Sequence, residues 1–138
     1  MNLQRRPAAP AAPAVTAALV ALALASACDG TSLSIGDFPT LTVHGTITAG
    51  GSPVIGAVVE VSHYMAADCS GITADVGHSS TGPSGSYEAL ITPGTDRVTG
   101  CLKLVVSSTE FGELTEVRAP VDIPLTGDDT RYQFSASY

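Results

Sequence analysis

Apolar side chains recur at every second position along much of the chain after residue 40, and no other feature limits the possible folds as strongly. Leu41, Val43 and Ile47, for example, alternate with threonine and histidine. Successive side chains of a β-strand point to opposite faces of a sheet, so a period of two predicts a strand with one buried face. Beyond residue 27, no long stretch has the helical period of 3.6. The sequence therefore predicts an all-β fold.

Clusters of glycine, proline, serine and aspartate divide this region into strands, because these residues favour turns. The predicted strands cover residues 41–48, 56–63, 72–81, 87–91, 101–107, 114–123 and 131–138. Pro120 interrupts the sixth of them. Since proline has no backbone N–H to donate, we expect that strand to lie at an edge or to contain a bulge. This pattern is typical of a seven-stranded antiparallel Greek-key β-sandwich.

The alternation also predicts which side chains fill the space between the two sheets. The expected core residues are Leu41, Val43, Ile47, Ala57, Val59, Val61, Leu90, Leu102, Leu104, Val106, Val117, Val121, Tyr132 and Phe134. Most of them are small aliphatic residues. A covalent crosslink would therefore supply a large share of the stability of this domain.

The first 27 residues have the composition of a secretory signal peptide. Arg5 and Arg6 supply a positive start, and the apolar run at residues 15–25 is too short to span a bilayer stably. The run ends in small residues directly before Cys28, as cleavage by a signal peptidase requires. We predict a signal peptide over residues 1–27, a tether over residues 28–40 and a β-sandwich domain over residues 41–138. The alternative for the tether is an edge strand through Leu33 and Ile35.

Two interpretations of Cys28 remain open. The run LASAC at residues 24–28 resembles a bacterial lipobox, whose cysteine is lipidated, although Ala25 stands where the lipobox prefers leucine. Simple secretion after cleavage of the same bond is the alternative for Cys28, and retention of the uncleaved segment as a membrane anchor is a further alternative for the chain. Cysteine parity favours the lipid: cysteines of an exported chain tend to pair, and lipidation of Cys28 leaves Cys69 and Cys101 as one disulfide. We therefore expect a lipid-anchored chain in the cell envelope, at the outer membrane, in the periplasm or at the cell surface.

Three segments of the predicted domain form a recognisable pattern: VHGTIT at residues 43–48, GSPVIGAVVEV at residues 51–61 and TGPSGSY at residues 81–87. This pattern resembles carboxypeptidase regulatory-like domains, which share a transthyretin-like β-sandwich. The chain departs from it at Gly82, where the family usually has Asp or Asn, and in the longer loop that carries Cys69. The resemblance implies a non-catalytic module of the kind found in exported proteins.

The titratable side chains do not have the spacing of a known catalytic or metal site, so we predict no catalytic residue, no metal ligand and no cofactor. His44, His63 and His78 are the only histidines. His44 and His63 could approach each other on paired strands. A small metal-dependent enzyme on the same type of sandwich is therefore the alternative to a non-enzymatic module.

The charge balance limits the partners. The chain has 13 acidic and 6 basic residues, a net charge of −7, and no cluster of lysine and arginine, so nucleic acid is excluded as a partner. We expect a non-enzymatic module that binds an unknown protein or glycan, or that contributes to envelope structure. Recognition would use an edge strand or the loops at residues 65–71, 93–100 and 109–113.

Overall fold

The computed structural model of the chain describes residues 38–127 and 130–138. The predicted signal peptide, Cys28, and the alternative strand through Leu33 and Ile35 lie outside the described residues. The described strands are β1 (Leu41–Ala49), β2 (Ser52–Pro53), β3 (Val58–Tyr64), β4 (Thr73–Ser80), β5 (Ser86–Ile91), β6 (Arg97–Ser108), β7 (Gly112–Pro124), β8 (Thr130–Gln133) and β9 (Ala136–Ser137).

These strands form two sheets. In the first sheet, β1 pairs antiparallel with β5 and with the short β2, and parallel with β8 and β9. In the second, the order is β4-β3-β6-β7 and every pairing is antiparallel. The described residues contain no helix. The all-β prediction is therefore confirmed, whereas a wholly antiparallel arrangement is wrong, because β8 and β9 run in the direction of β1.

The core lies between the inner faces of the two sheets, and most of the predicted core residues are there. Eleven of the fourteen are buried: Leu41, Val43, Ile47, Ala57, Val59, Val61, Leu102, Leu104, Val106, Val121 and Phe134. Tyr132 is half-buried and packs against them. The structure adds six residues that the alternation did not single out: Val54, Tyr87, Ala89, Ile91, Val98 and Leu125.

Leu90 is 56% exposed, so its predicted place in the core is wrong. Its strand, β5, has apolar residues on both faces, and the pattern alone does not choose between them. The register with β1 places Ile91 opposite the buried Leu41. Side chains two residues apart share a face, so Tyr87, Ala89 and Ile91 point inward and Leu90 points outward.

Val117 is 45% exposed, which also contradicts the prediction. Between the pair of Gly100 with Val121 and the pair of Leu102 with Arg118, β7 contains one more residue than β6. This bulge, which contains Pro120, reverses the alternation, so Val117 and Val121 point to opposite faces. Because β7 is also the last strand of its sheet, the predicted edge position and the predicted bulge are both present.

The strand β6 begins at Arg97, so the last four residues of the predicted loop at 93–100 belong to a strand. Near its start, Cys101 forms the predicted disulfide with Cys69, with the two Cα atoms 5.3 Å apart. The bond fastens the loop between β3 and β4 to the second sheet. Because the two cysteines are 32 positions apart, the chain-entropy model gives a stabilisation of about 3–4 kcal/mol.

Candidate functional site

The outer face of the first sheet presents nine side chains in three rows, and we call this set the polar face. Alternation along β1 buries Leu41, Val43 and Ile47 and turns Thr42, His44 and Thr46 outward. The registers with β5 and β8, and a hydrogen bond from the Thr46 N–H to the Ser135 hydroxyl, place neighbours on either side. The rows are Leu90, Thr42 and Arg131; Glu88, His44 and Gln133; and Ser86, Thr46 and Ser135. From the usual strand spacing, the face measures about 10 Å by 13 Å.

An ion pair crosses the polar face. The Arg131 guanidinium donates a hydrogen bond to the Glu88 carboxylate from the opposite side of β1. This bond and the positive charge of Arg131 lower the pKa of Glu88 from its ordinary value, and the neighbouring His44 contributes in the same direction. Glu88 is therefore an ionised acceptor at neutral pH, and the pair as a whole adds no net charge.

A groove of about 510 Å³ lies along the polar face. The polar-face residues that line it are His44, Thr46, Ser86, Glu88, Gln133 and Ser135. The remaining lining residues are Gly45 and Tyr87, together with Ser79, Ser80 and Gly82, where β4 leads into β5. Hydroxyl and amide groups both donate and accept hydrogen bonds. The groove therefore presents mixed donors and acceptors in positions that the sheet registers fix.

A second groove, of about 370 Å³, shares Thr46 and Ser135 with the first and reaches the edge strand β7. Arg118 lines this second groove. Its guanidinium carbon lies 4.7 Å from the centroid of the Phe134 ring, within the range of a cation–π contact. Its nitrogen Nη1 lies 3.7 Å from a carboxylate oxygen of Glu116. Each groove thus has one arginine–glutamate pair nearby.

The buried side of the same sheet holds the polar face in place. The hydroxyl of the buried Tyr87 donates a hydrogen bond of 2.5 Å to the carbonyl of Phe134, where β8 leads into β9. In the ladder, Tyr87 lies opposite Gly45, and a Cβ at Gly45 would collide with that same carbonyl. The absence of a side chain at Gly45 therefore lets residues 134 and 135 approach β1. Burial also raises the pKa of Tyr87.

The three histidines occupy three different environments. His44 belongs to the polar face, whereas His63 points into the core and its Nε2 donates to the Thr99 carbonyl at 2.8 Å. His78 lies on the outer face of the second sheet, 3.9 Å from Glu60. The hypothesis that His44 and His63 approach each other is wrong, because they belong to different sheets. Among the described residues, no three His, Cys, Asp or Glu side chains are grouped as metal ligands.

The loops predicted to make contacts do not form one surface. Residues 65–71 and 92–96 lie at one end of the sandwich, where the Thr92 N–H donates to Asp75. The turn between β6 and β7 lies at the other end, where residues 108–111 and 52–55 line a groove of about 290 Å³. The lining of the 510 Å³ groove contains residues from none of the three predicted loops.

The sequence prediction missed Glu88, Arg131 and Gln133 as members of a site. The available signal was weak: each occupies the polar half of an alternating strand, a position that is usually only solvated. Their proximity depends on the parallel pairing of β8 with β1, which the sequence pattern did not predict.

Comparison with known protein families and with characterised proteins returns no match. The part of the chain that the structure describes contains no helix able to cross a membrane. The interpretation of this protein therefore depends on its own residues and geometry.

Proposed function

We propose that this chain is an exported, lipid-anchored β-sandwich that binds a neutral glycan on the polar face and has no enzymatic activity. The basis for export is the signal-like composition of residues 1–27. The basis for the lipid is Cys28, together with the disulfide that pairs the other two cysteines. A disulfide is also consistent with an oxidising compartment outside the cytoplasm.

The observation that carries the ligand proposal is the chemistry of the 510 Å³ groove. A glycan presents hydroxyls that donate and accept in many directions, and the hydroxyls of Ser86, Thr46 and Ser135 match them. Gln133 adds an amide that does both. Leu90, half-exposed at the corner of the polar face, offers an apolar spot for the C–H face of a sugar ring.

The charges of the polar face and of the whole chain favour a neutral ligand over an anionic one. Glu88 and Arg131 already satisfy each other, and the chain as a whole carries a net charge of −7. A negatively charged polymer would meet long-range repulsion and find no unpaired cation in this ion pair. A neutral polyol can instead donate to the Glu88 carboxylate and accept from the Arg131 guanidinium without breaking the pair.

The assignment to the carboxypeptidase regulatory-like type belongs to the same proposal. It is supported by the motif at residues 43–61 and by two features of the turn at residues 81–85. Gly85 has a positive φ of 71°, which suits glycine, and the following Tyr87 enters a strand of the first sheet. Seven main strands, β1 and β3–β8, would then form the Greek-key sandwich, with β2 and β9 as short additions.

The experiment is a screen of the purified protein on an array of neutral and acidic oligosaccharides, followed by calorimetric titration with the best neutral binder. We expect Glu88→Gln to weaken binding about 10- to 100-fold, since it removes a charged acceptor. Gln133→Ala should weaken it about 2- to 10-fold.

Glu60→Gln is the matched control, because Glu60 lies beside a histidine on the outer face of the other sheet. It should bind like the wild type. The proposal would be contradicted if no neutral oligosaccharide on the array binds, or if Glu60→Gln and Glu88→Gln lose binding equally. Either result would favour a protein partner or a structural role.

A further inference from the structure

The two edges of the four-stranded sheet differ in how they are covered. At one edge, β4 approaches β5 so closely that a Cβ at Gly77 would collide with the Leu90 carbonyl. At the other edge lies β7, thirteen residues long, in which Val121 is the only buried residue. An edge strand presents unpaired backbone groups, and such a row is a template for pairing with another strand.

The middle of β7 has a self-complementary sequence. Val117 is 45% exposed and is flanked by Glu116 and Arg118, whose charged groups lie 3.7 Å apart. The Val117 carbonyl accepts a hydrogen bond of 3.2 Å from Nη1 of Arg118, so this carbonyl is open to a donor from outside the ladder with β6. A strand that approaches this edge could satisfy the same carbonyl with a backbone N–H.

We propose that β7 pairs antiparallel with β7 of a second copy of this chain, about a twofold axis at Val117. In that register, the two copies of Val117 lie opposite each other. Glu116 of each copy then lies opposite Arg118 of the other. Directly opposed side chains in an antiparallel pair have Cβ atoms about 4.5–5.5 Å apart, which suits both an ion pair and an apolar contact.

The proline of β7 limits the extent of this pairing. Pro120 has no N–H to donate, so the intermolecular ladder is confined to residues 115–119 and is short. The result is one continuous eight-stranded sheet with a small interface. The negative charge of both copies opposes association. The dimer is therefore weak and concentration-dependent, and the two ion pairs contribute to its stability.

The test is sedimentation velocity of the purified protein over a concentration series up to about 1 mM. We expect a reversible monomer–dimer equilibrium. Glu116→Arg and Arg118→Glu should each weaken dimerisation by about 10- to 30-fold, because each replaces two attractive cross-strand pairs with two repulsive ones.

Two rescues distinguish this register from a general loss of stability. An equimolar mixture of Glu116→Arg and Arg118→Glu should form a heterodimer, and the double variant E116R/R118E should dimerise like the wild type. Glu60→Arg, on the outer face of the same sheet, is the control and should leave the equilibrium unchanged. A monomer at every concentration, single variants that dimerise normally, or failure of both rescues would overturn the proposal.

Discussion

Removal of one hydroxyl, in Tyr87→Phe, tests how the first sheet is held together. Tyr87 is only 3% exposed, and its hydroxyl donates to the Phe134 carbonyl at 2.5 Å. Phenylalanine keeps the ring but leaves a buried acceptor without this donor. We expect the free energy of unfolding to fall by about 1–3 kcal/mol at pH 7. For a domain of this size, the melting temperature should fall by about 4–8 °C for each kcal/mol.

The same substitution should change the alkaline limit of stability. Burial raises the pKa of Tyr87, with the positive charge of Arg118 as a smaller opposing effect. The folded state therefore keeps its proton above pH 10, where an unfolded tyrosine ionises. Stability from this group is fully present below about pH 10 and is lost as the pH rises further, by about 1.4 kcal/mol for each pH unit.

The assay is urea denaturation at pH 7 and at several values between pH 9 and pH 11.5. Tyr138 also has a raised pKa, so Tyr87→Phe should reduce the alkaline slope without abolishing it. Tyr132→Phe is the control, since its ring is half-buried in the same sheet. A loss at pH 7 no larger than that of Tyr132→Phe, or an unchanged alkaline slope, would refute the role assigned to this hydroxyl.

Three further predictions concern the disulfide, the contact between the two sheets and the proposed lipid anchor. Replacement of Cys69 and Cys101 by alanine should lower the free energy of unfolding by about 3–4 kcal/mol in urea titrations, and a loss below 1 kcal/mol would contradict the chain-entropy estimate. Gly77→Ala should lower the free energy of unfolding by about 1–3 kcal/mol, because the new Cβ meets the β5 backbone. Gly82→Ala is the control: the nearest atom to its new Cβ is 3.8 Å away, so the loss should be less than half as large. Equal losses would show that the two sheets do not approach each other tightly at Gly77. Mass spectrometry of the mature chain should find diacylglycerol on Cys28, and an unmodified Cys28 in protein released to the medium would exclude the lipid anchor.

The core was largely predictable because burial in a strand follows a period of two. Leu41, Val43 and Ile47 lie on one face whatever their partners are, and all three are buried. The prediction was wrong where the sequence offered apolar residues on both faces, as at Leu90, and where a bulge reversed the alternation, as at Val117. A single extra residue in one strand changes which side chains meet the core, and Pro120 indicated an edge or a bulge without showing which side chains would turn outward.

The polar face was not predictable as a site. Glu88 and Arg131 are 43 positions apart, and each has the ordinary character of a solvated strand residue. Their side chains meet because β5 and β8 both pair with β1, one on each side, so only one strand lies between them. Likewise, the sequence left open whether His44 and His63 approach each other, and the assignment of their strands to different sheets decided it.

By itself, the sequence predicted the strand character of the chain, most of its core and the pairing of Cys69 with Cys101. Strand character and burial follow from local sterics, which act within a few residues. The cysteine pairing follows from the number of cysteines once Cys28 is set aside. Only the tertiary structure decided the parallel pairing of β8, the bulge in β7 and the rows of the polar face. The physical reason is that alternative registers satisfy the local backbone equally well, and only packing of the whole sandwich separates them in energy.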